Sequence, residues 1–145
     1  MIIRIVERDD YDGVIQLIRE FYTEAIKEYG SVIDIDFLTK IFFEMKDTSF
    51  LVEENGEIVG LLAGKIVTDL LSGESTYAEV MWFMTAEKRR YGTRLLKFVE
   101  DWAKNRGMRR MMMVHMCNDK KDQLADFYAR IGYRPMEVHY IKELK

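Results

Sequence analysis

Cysteine and proline are almost absent from this 145-residue chain, with one residue of each. The single cysteine, Cys117, excludes an internal disulfide and a cysteine-rich metal framework, and it favours a reducing, cytoplasmic compartment. One proline and nine glycines leave no flexible linker and no low-complexity segment. No apolar run approaches the ~20 residues that cross a membrane, and acidic residues follow the N-terminus too closely for a secretory leader. We therefore expect one cytoplasmic domain over residues 1–145, without a membrane span.

The composition is that of a globular protein, with 48% hydrophobic and 32% charged residues. The net charge of −3 hides an uneven distribution of charge. Residues 1–85 carry 7 Lys+Arg against 17 Asp+Glu, and residues 86–145 carry 15 against 8. Ordinary solvated surfaces explain this pattern as well as a functional one does. The functional interpretation is a basic half for an anionic ligand and an acidic half for a cationic one.

The stretch from Glu79 to Gly107 carries the clearest chemical signal. Glu79–Met84 is mostly aromatic and apolar, which predicts a largely buried strand. Residues 88–92, Lys-Arg-Arg-Tyr-Gly, form what we call the basic loop. The helix that follows has apolar residues on one face: Leu95, Leu96, Val99, Trp102 and Ala103. A cationic loop that opens a helix at a glycine combines free backbone N–H groups with the positive end of the helix dipole, which predicts a phosphate site.

The remaining elements follow from periodicity and turn residues. A first strand at 2–6 precedes two amphipathic helices, and Asn55-Gly56 between two apolar runs predicts a hairpin. After Gly107, residues 108–117 predict a short strand and Asn118 or Asp119 caps a further helix. Alternating residues from Met136 to Leu144 predict a last strand. The predicted order is β-α-α-β-β-β-α-β-α-β.

Two separated motifs resemble those of the GNAT N-acetyltransferase superfamily. In the first, the family's glycine, leucine pair, Trp-Ala pair and helix-ending glycine correspond to Gly92, Leu95-Leu96, Trp102-Ala103 and Gly107. Its V-x-P-E sequence corresponds to Met84-Thr85-Ala86-Glu87. In the second, residues 124–133, LADFYARIGY, are similar to the A-x-x-F-Y-x-x-x-G-[FY] signature. The basic loop departs from the family pattern, because it is about two residues shorter and lacks one of two glycines.

The resemblance covers nearly the whole chain and implies a fold and an activity. The implied fold class is α/β (α+β), with a mixed, mostly antiparallel sheet of about six to seven strands and about four helices. The implied activity is transfer of an acetyl group from acetyl-CoA to a primary amine, on a small cationic molecule or on a protein lysine or N-terminus. A GNAT-fold module that binds CoA weakly or not at all, and engages a protein partner, is the alternative.

The resemblance also assigns roles to individual residues. Its cofactor-binding positions correspond to Phe83, Met84, Arg89, Arg90, Tyr91, Gly92, Thr93 and Asn118. Tyr128 corresponds to the tyrosine that protonates the departing thiolate, and a phenol pKa of about 10 is near that of a thiol. Each position also has a structural explanation: sheet pairing for Phe83 and Met84, helix capping for Asn118, and core packing for Tyr128.

Glu79 is the expected base, because a carboxylate on an apolar strand needs a partner or a cavity. A charge at a sheet edge is the equal alternative, and His115 is a weaker candidate base. No metal site is expected, since consecutive strand residues such as Met111–Met113 cannot converge on one ion. The acidic first half argues against a nucleic-acid partner. The sequence leaves a homodimer open.

Overall fold

The computed structural model describes residues 1–27, 32–116 and 121–144. Its contacts divide the chain into two compact units, Met1–Val114 and His115–Lys145. Among the described residues, the first unit contains a five-stranded sheet and three α-helices, and the second contains a fourth helix. One domain over 1–145 therefore stays a prediction, and the two units are described separately below.

The elements occur in the predicted order, apart from the last strand. They are β1 (Ile2–Ile5), α1 (Tyr11–Phe21), α2 (Ile35–Met45), β2 (Ser49–Glu54), β3 (Glu57–Thr68), β4 (Ser75–Met84), α3 (Gly92–Asn105), β5 (Arg110–Met112) and α4 (Lys121–Arg130). A π-helix, Tyr22–Ile26, continues α1. A 3-10 helix, Ala86–Tyr91, connects β4 to α3. None of the helices that the structure describes is both long enough and apolar enough to cross a membrane.

The strands lie in the order β1-β2-β3-β4-β5. Neighbours from β1 to β4 are antiparallel, and β5 runs parallel to β4, so the predicted mixed, mostly antiparallel sheet is confirmed. The hairpin between β2 and β3 is also confirmed: Asn55 and Gly56 have φ angles of 53° and 80°. Asparagine and glycine tolerate this left-handed backbone better than other residues, which explains the position of the turn.

Each face of the sheet is covered by helices. On one face, α1 and α2 bury a cluster made of Val6, Val14, Leu17, Phe42, Leu51, Leu61, Met81 and Phe83. On the other face, α3 buries the apolar stripe seen in the sequence, and the Trp102 ring lies 4.9 Å from Phe50 and 6.1 Å from Tyr77, centroid to centroid. The sheet therefore supports both helical layers through alternate residues of β2, β3 and β4.

Two strand predictions are wrong in extent. The described residues contain five strands instead of six to seven, and residues 136–144 form no strand. Side chains there are exposed, with Tyr140 94% and Leu144 90% accessible. An alternating pattern expresses a preference for extended backbone, but a strand forms only where N–H and C=O groups find a neighbouring strand. The strand predicted for 108–117 is shorter as well, because Arg110–Met112 alone pairs with β4.

Candidate active site

The strands β4 and β5 separate partway along the sheet. Their parallel pairing ends at Ala78 opposite Met112, whereas β4 continues for six more residues to Met84. Within the described residues, no strand pairs with β4 on this side beyond Ala78. We call this side of β4 beyond Ala78 the open edge, meaning that no strand of the described residues pairs there.

Backbone alternation decides which N–H groups reach the open edge. The Thr85 N–H donates to the Val59 carbonyl at 2.9 Å, toward β3. Successive residues of a strand direct their N–H groups to opposite sides, so Phe83 also faces β3 and Met84 faces away from it. The Met84 N–H therefore lies on the side of β4 away from β3, whereas the Phe83 N–H faces the paired strand. The Phe83 side chain lies in the core, 8% exposed.

A β-bulge sits where the two strands separate. Ala63 lies opposite Met81 and Gly64 opposite Glu79, which makes Val80 an extra residue on β4. Bulges bend a strand and redirect its side chains. The Glu79 carboxylate, half-buried beside the bulge, accepts a hydrogen bond of 2.9 Å from the Val114 N–H through Oε2.

Burial gives the Glu79 carboxyl group an unusual proton affinity. Loss of water raises the pKa of Glu79 to about 7, and the Val114 N–H opposes part of that change by favouring the charged form. Tyr77, two residues earlier, is fully buried and its hydroxyl donates to the Thr48 carbonyl at 2.7 Å. Burial and the neighbouring Glu79 raise the pKa of Tyr77 above its usual range, so Tyr77 stays neutral. Glu79 can therefore exchange a proton near neutral pH.

The basic loop is wound into the 3-10 helix instead of lying open. The Lys88 N–H donates to the Thr85 carbonyl at 2.9 Å, and the Gly92 N–H donates to the Arg89 carbonyl. The expectation that this loop offers free N–H groups is therefore not met at these two positions. Gly92 has ordinary helical angles, and a Cβ there would lie 3.3 Å from the Trp82 ring. This glycine allows α3 to begin close against β4.

Side chains of the basic loop contact two glutamates from distant elements. Lys88 and Tyr91 both contact the Glu54 carboxylate at the end of β2, and the Tyr91 hydroxyl donates to it at 2.9 Å. Arg89 lies 3.3 Å from the Glu24 carboxylate on the π-helix. Sequence reasoning identified the cations but missed both glutamates, since no local pattern links positions 37 or 65 residues apart. Thr93 is exposed in the first turn of α3.

The acidic residues of the first half have different local roles. The Asp34 carboxylate accepts the Phe37 N–H at 3.0 Å and caps α2. Glu44 lies 3.8 Å from Lys40, one helical turn away. Asp36 is exposed in the first turn of α2. These contacts account for part of the negative charge by local helix stabilisation.

In the second unit, Tyr128 lies in an aromatic cluster. Its ring centroid is 5.4 Å from Tyr133, 5.7 Å from Phe127 and 6.4 Å from His115. The Tyr128 carbonyl accepts the Tyr133 N–H at 2.9 Å where α4 ends. The predicted cofactor residue Asn118, and Cys117, lie outside the described residues. Across the described ranges, no three His, Cys, Asp or Glu side chains group closely enough to hold a metal ion.

Comparison with known proteins identifies the family. The model of the Acetyltransferase (GNAT) family matches residues 11–133, and the chain therefore belongs to that family. The expected resemblance is thus confirmed, and with it an acetyltransferase class of protein. No match was found among curated protein sequences.

Solved structures show the same fold at low sequence identity. A transcriptional regulator from Bacillus halodurans C-125 is 14% identical, covers 99% of both chains and has a TM-score of 0.78. An aminoglycoside acetyltransferase, meta-AAC0020, from an uncultured soil metagenomic sample is 20% identical over 99% of this chain and 96% of its own, with a TM-score of 0.77. AAC(6')-Iy, in complex with the bisubstrate analogue CoA-S-monomethyl-acetylneamine, is 16% identical over 99% and 97%, with a TM-score of 0.75.

Proposed function

We propose that this chain transfers an acetyl group from acetyl-CoA to a primary amine. The observation that carries the proposal is the open edge of β4 beyond Ala78, with the Met84 N–H facing away from β3 and Glu79 beside the bulge. An N–H at an open strand edge can donate to a carbonyl oxygen as negative charge develops on it. The family match and the solved complex of AAC(6')-Iy with a CoA-based analogue support CoA as the donor.

In the proposed reaction the amine attacks the thioester directly. One proton transfer activates the amine, and a second protonates the departing thiolate. The amine must first lose a proton, and Glu79, directly or through a water molecule, is the proposed acceptor because its pKa of about 7 suits a base at neutral pH. The neutral amine nitrogen then forms a bond to the acetyl carbon. The carbon–sulfur bond breaks, and the thiolate takes a proton. Tyr128 is the proposed source of that proton, on the basis of its place in the Phe-Tyr-x-x-x-Gly-Tyr signature.

A cationic amine is the proposed acceptor. The first 85 residues carry 7 Lys+Arg against 17 Asp+Glu, and such a field attracts cations. Two of the three structures compared above, meta-AAC0020 and AAC(6')-Iy, are aminoglycoside acetyltransferases, and this agrees with the charge argument. A lysine side chain or an N-terminus of a protein has the same charge and is included in the proposal. Neutral and acidic acceptors are expected to react more slowly.

Thiol release with a panel of amines tests the proposal. Polyamine, aminoglycoside, lysine-peptide and neutral or acidic amino-sugar acceptors are supplied with acetyl-CoA, and kcat/KM is measured at low and high salt. The expected result is turnover of cationic acceptors that weakens as salt screens the field. Preference for acidic acceptors would contradict the charge argument, and absence of turnover on any acceptor would contradict the enzymatic function.

A binding module is the second candidate function. It is favoured by the basic loop itself, in which two N–H groups are used in 3-10 bonds and Lys88 and Arg89 contact glutamates. This module would bind CoA weakly or not at all and engage a protein partner. A melting-temperature measurement with and without acetyl-CoA separates the two, because a ligand that binds the folded state raises the melting temperature.

A further inference from the structure

Two backbone N–H groups of the basic loop are already engaged in hydrogen bonds within the segment. A glycine-rich loop holds phosphate with backbone N–H groups. Here the Lys88 and Gly92 N–H groups donate to carbonyls of the same segment. These two N–H groups are therefore not available to an anion in this conformation. The side-chain cations are the other groups of the loop that could bind one, and their contacts decide which of them can take part.

Glu54 fixes two side chains of the loop at once. One carboxylate oxygen pairs with the Lys88 ammonium, and the other accepts the Tyr91 hydroxyl at 2.9 Å. Glu54 is itself held where β2 ends, next to the Asn55-Gly56 turn, and its side chain is only 17% exposed. Lys88 donation, and then Tyr91 donation, hold the pKa of Glu54 below its usual range, so the carboxylate stays charged. The Lys88 ammonium is therefore already engaged in an ion pair with Glu54.

Tyr91 in turn orients Arg90. The Arg90 Nη2 donates to the Tyr91 hydroxyl oxygen at 3.0 Å, and the guanidinium carbon lies 4.8 Å from the centroid of the Tyr91 ring. A guanidinium has five N–H donors in a planar fork, so one bond to a phenol leaves others available for an anion. Among the described residues, no carboxylate lies within ion-pair distance of the Arg90 guanidinium. The chain Glu54–Tyr91–Arg90 thus presents an oriented cation that, within the described residues, forms no direct ion pair.

We infer that Glu54 and Tyr91 are positioning residues that hold the Arg90 guanidinium ready for a diphosphate. The inference rests on the proposed function in taking the diphosphate of acetyl-CoA as the natural ligand. It ranks the cations of the loop. Arg90 is expected to contribute most. Arg89 is expected to contribute less, because it must first leave its exposed ion pair with Glu24. Lys88 stabilises the loop through its ion pair with Glu54 and is not expected to contact the ligand.

Calorimetry with three ligands tests the inference. CoA and inorganic pyrophosphate both carry a diphosphate, and pantetheine carries none. Tyr91→Phe keeps the ring under Arg90 but removes the hydroxyl that links it to Glu54. We expect this variant to bind CoA and pyrophosphate roughly three- to tenfold more weakly than the natural chain, as the loss of one hydrogen bond predicts, and to bind pantetheine equally.

Two further variants calibrate the result. Arg90→Gln is expected to weaken both diphosphate ligands by roughly tenfold or more, since a charge-assisted contact is lost. Lys97→Gln removes the same charge from the surface of α3, where Lys97 pairs with Asp101 at 2.8 Å, and is expected to stay within about twofold. Melting temperatures of all variants show that each is folded.

Glu54→Gln is compared in two backgrounds to isolate its bond to Tyr91. Removing a carboxylate near an anion site favours binding by charge alone, in either background. With Tyr91 present, the change also weakens the hydroxyl contact. The effect of Glu54→Gln is measured as the CoA affinity of the variant divided by the affinity of its parent. This ratio should be roughly threefold lower when the parent has Tyr91 than when the parent carries Tyr91→Phe. Equal effects in both backgrounds would overturn the positioning role of Glu54.

The ligand set separates failure of the inference from failure of the proposed function. CoA binding that is unchanged in Tyr91→Phe, or equal weakening of pantetheine, overturns the inference and leaves the acetyl donor in place. Pyrophosphate binding that weakens in Tyr91→Phe, in a chain that does not bind CoA, supports the anion site and rejects acetyl-CoA as the donor. Absence of binding by both diphosphate ligands overturns the inference as well.

Discussion

Glu79 and Val114 are joined by a hydrogen bond at the point where two parallel strands separate. Val114 lies two residues beyond Met112, the last residue of β5 that pairs with β4, and its N–H reaches the Glu79 carboxylate at 2.9 Å. A side chain thus accepts the hydrogen bond that a strand carbonyl would otherwise accept. The same carboxyl group has a pKa raised to about 7, which connects the geometry of the open edge to pH.

The first prediction concerns stability and pH. The pKa of Glu79 is about 7 in the folded chain and near the ordinary 4.5 when unfolded. The folded state therefore holds the proton more tightly between pH 4.5 and 7, and stability falls as pH rises through that window. Glu79→Gln lacks this titration. The unfolding free energy of the variant minus that of the natural chain should therefore be larger at pH 8 than at pH 5. The increase should be up to roughly 3 kcal/mol, since one pKa unit corresponds to 1.36 kcal/mol.

Urea unfolding of both chains at the two pH values measures this difference. Other titrating groups are common to the two chains and cancel in the comparison. A stability difference that is the same at pH 5 and pH 8 would show that burial does not perturb Glu79.

The second prediction concerns the proposed base. In the natural chain kcat/KM should rise with pH through about 7 as Glu79 loses its proton, and Glu79→Gln should lose that inflection and about 10²-fold in rate. The amine's own titration remains in both profiles. Glu57→Gln, an exposed residue of β3, is the matched control and should keep the natural profile. A Glu79→Gln profile with the inflection intact would assign the base elsewhere.

The third prediction concerns the proposed acid. Tyr128→Phe should reduce turnover about 10²-fold, the scale of one general acid, while CoA affinity stays near that of the natural chain. Tyr133→Phe, whose ring lies 5.4 Å away, is the matched control, because the family signature accepts either aromatic residue there. Equal turnover by the two variants would leave Tyr128 with a packing role alone.

The fourth prediction concerns Gly64, opposite the bulge. A Cβ at this position would collide with the Tyr77 ring, which is fully buried and cannot move aside. Gly64→Ala should therefore destabilise the fold by about 2 kcal/mol or more. Gly13→Ala is the comparison: its Cβ would meet the flexible end of Ile58, on a helix that favours alanine, and should change stability by less than about 1 kcal/mol. Similar losses in both variants would argue against the close Gly64–Tyr77 contact.

Local signals predicted the fold well. Asn55-Gly56 predicted the hairpin because the turn requires positive φ angles, and these two adjacent residues tolerate them. The stripe on α3 was visible because helical periodicity is local too, and Leu95, Leu96 and Val99 are all buried. The alternating pattern at 136–144 led to a wrong strand prediction. Such a pattern indicates a preference for extended backbone, but it does not show whether a partner strand is present.

The candidate site was predicted less completely, for the same physical reason. The cations of the basic loop could be read directly, but the Glu54–Tyr91 bond joins residues 37 positions apart, and the bulge at Val80 depends on how β3 and β4 pair. Such contacts arise from tertiary packing and leave no periodic trace in the sequence. The roles of Glu79, Tyr128 and the cofactor-binding residues stay predictions for the experiments above.

The close start of α3 against β4 gives this chain a built-in optical reporter. The chain has two tryptophans. Trp82 is the ring that a Cβ at Gly92 would approach, directly beneath the end of the basic loop, whereas Trp102 packs beneath α3 between Phe50 and the Arg106 guanidinium. In a Trp102→Phe chain, indole emission would come from Trp82 alone. An anion that settles in the loop would then change that emission directly, so its arrival could be timed by stopped flow without a label or a known acceptor.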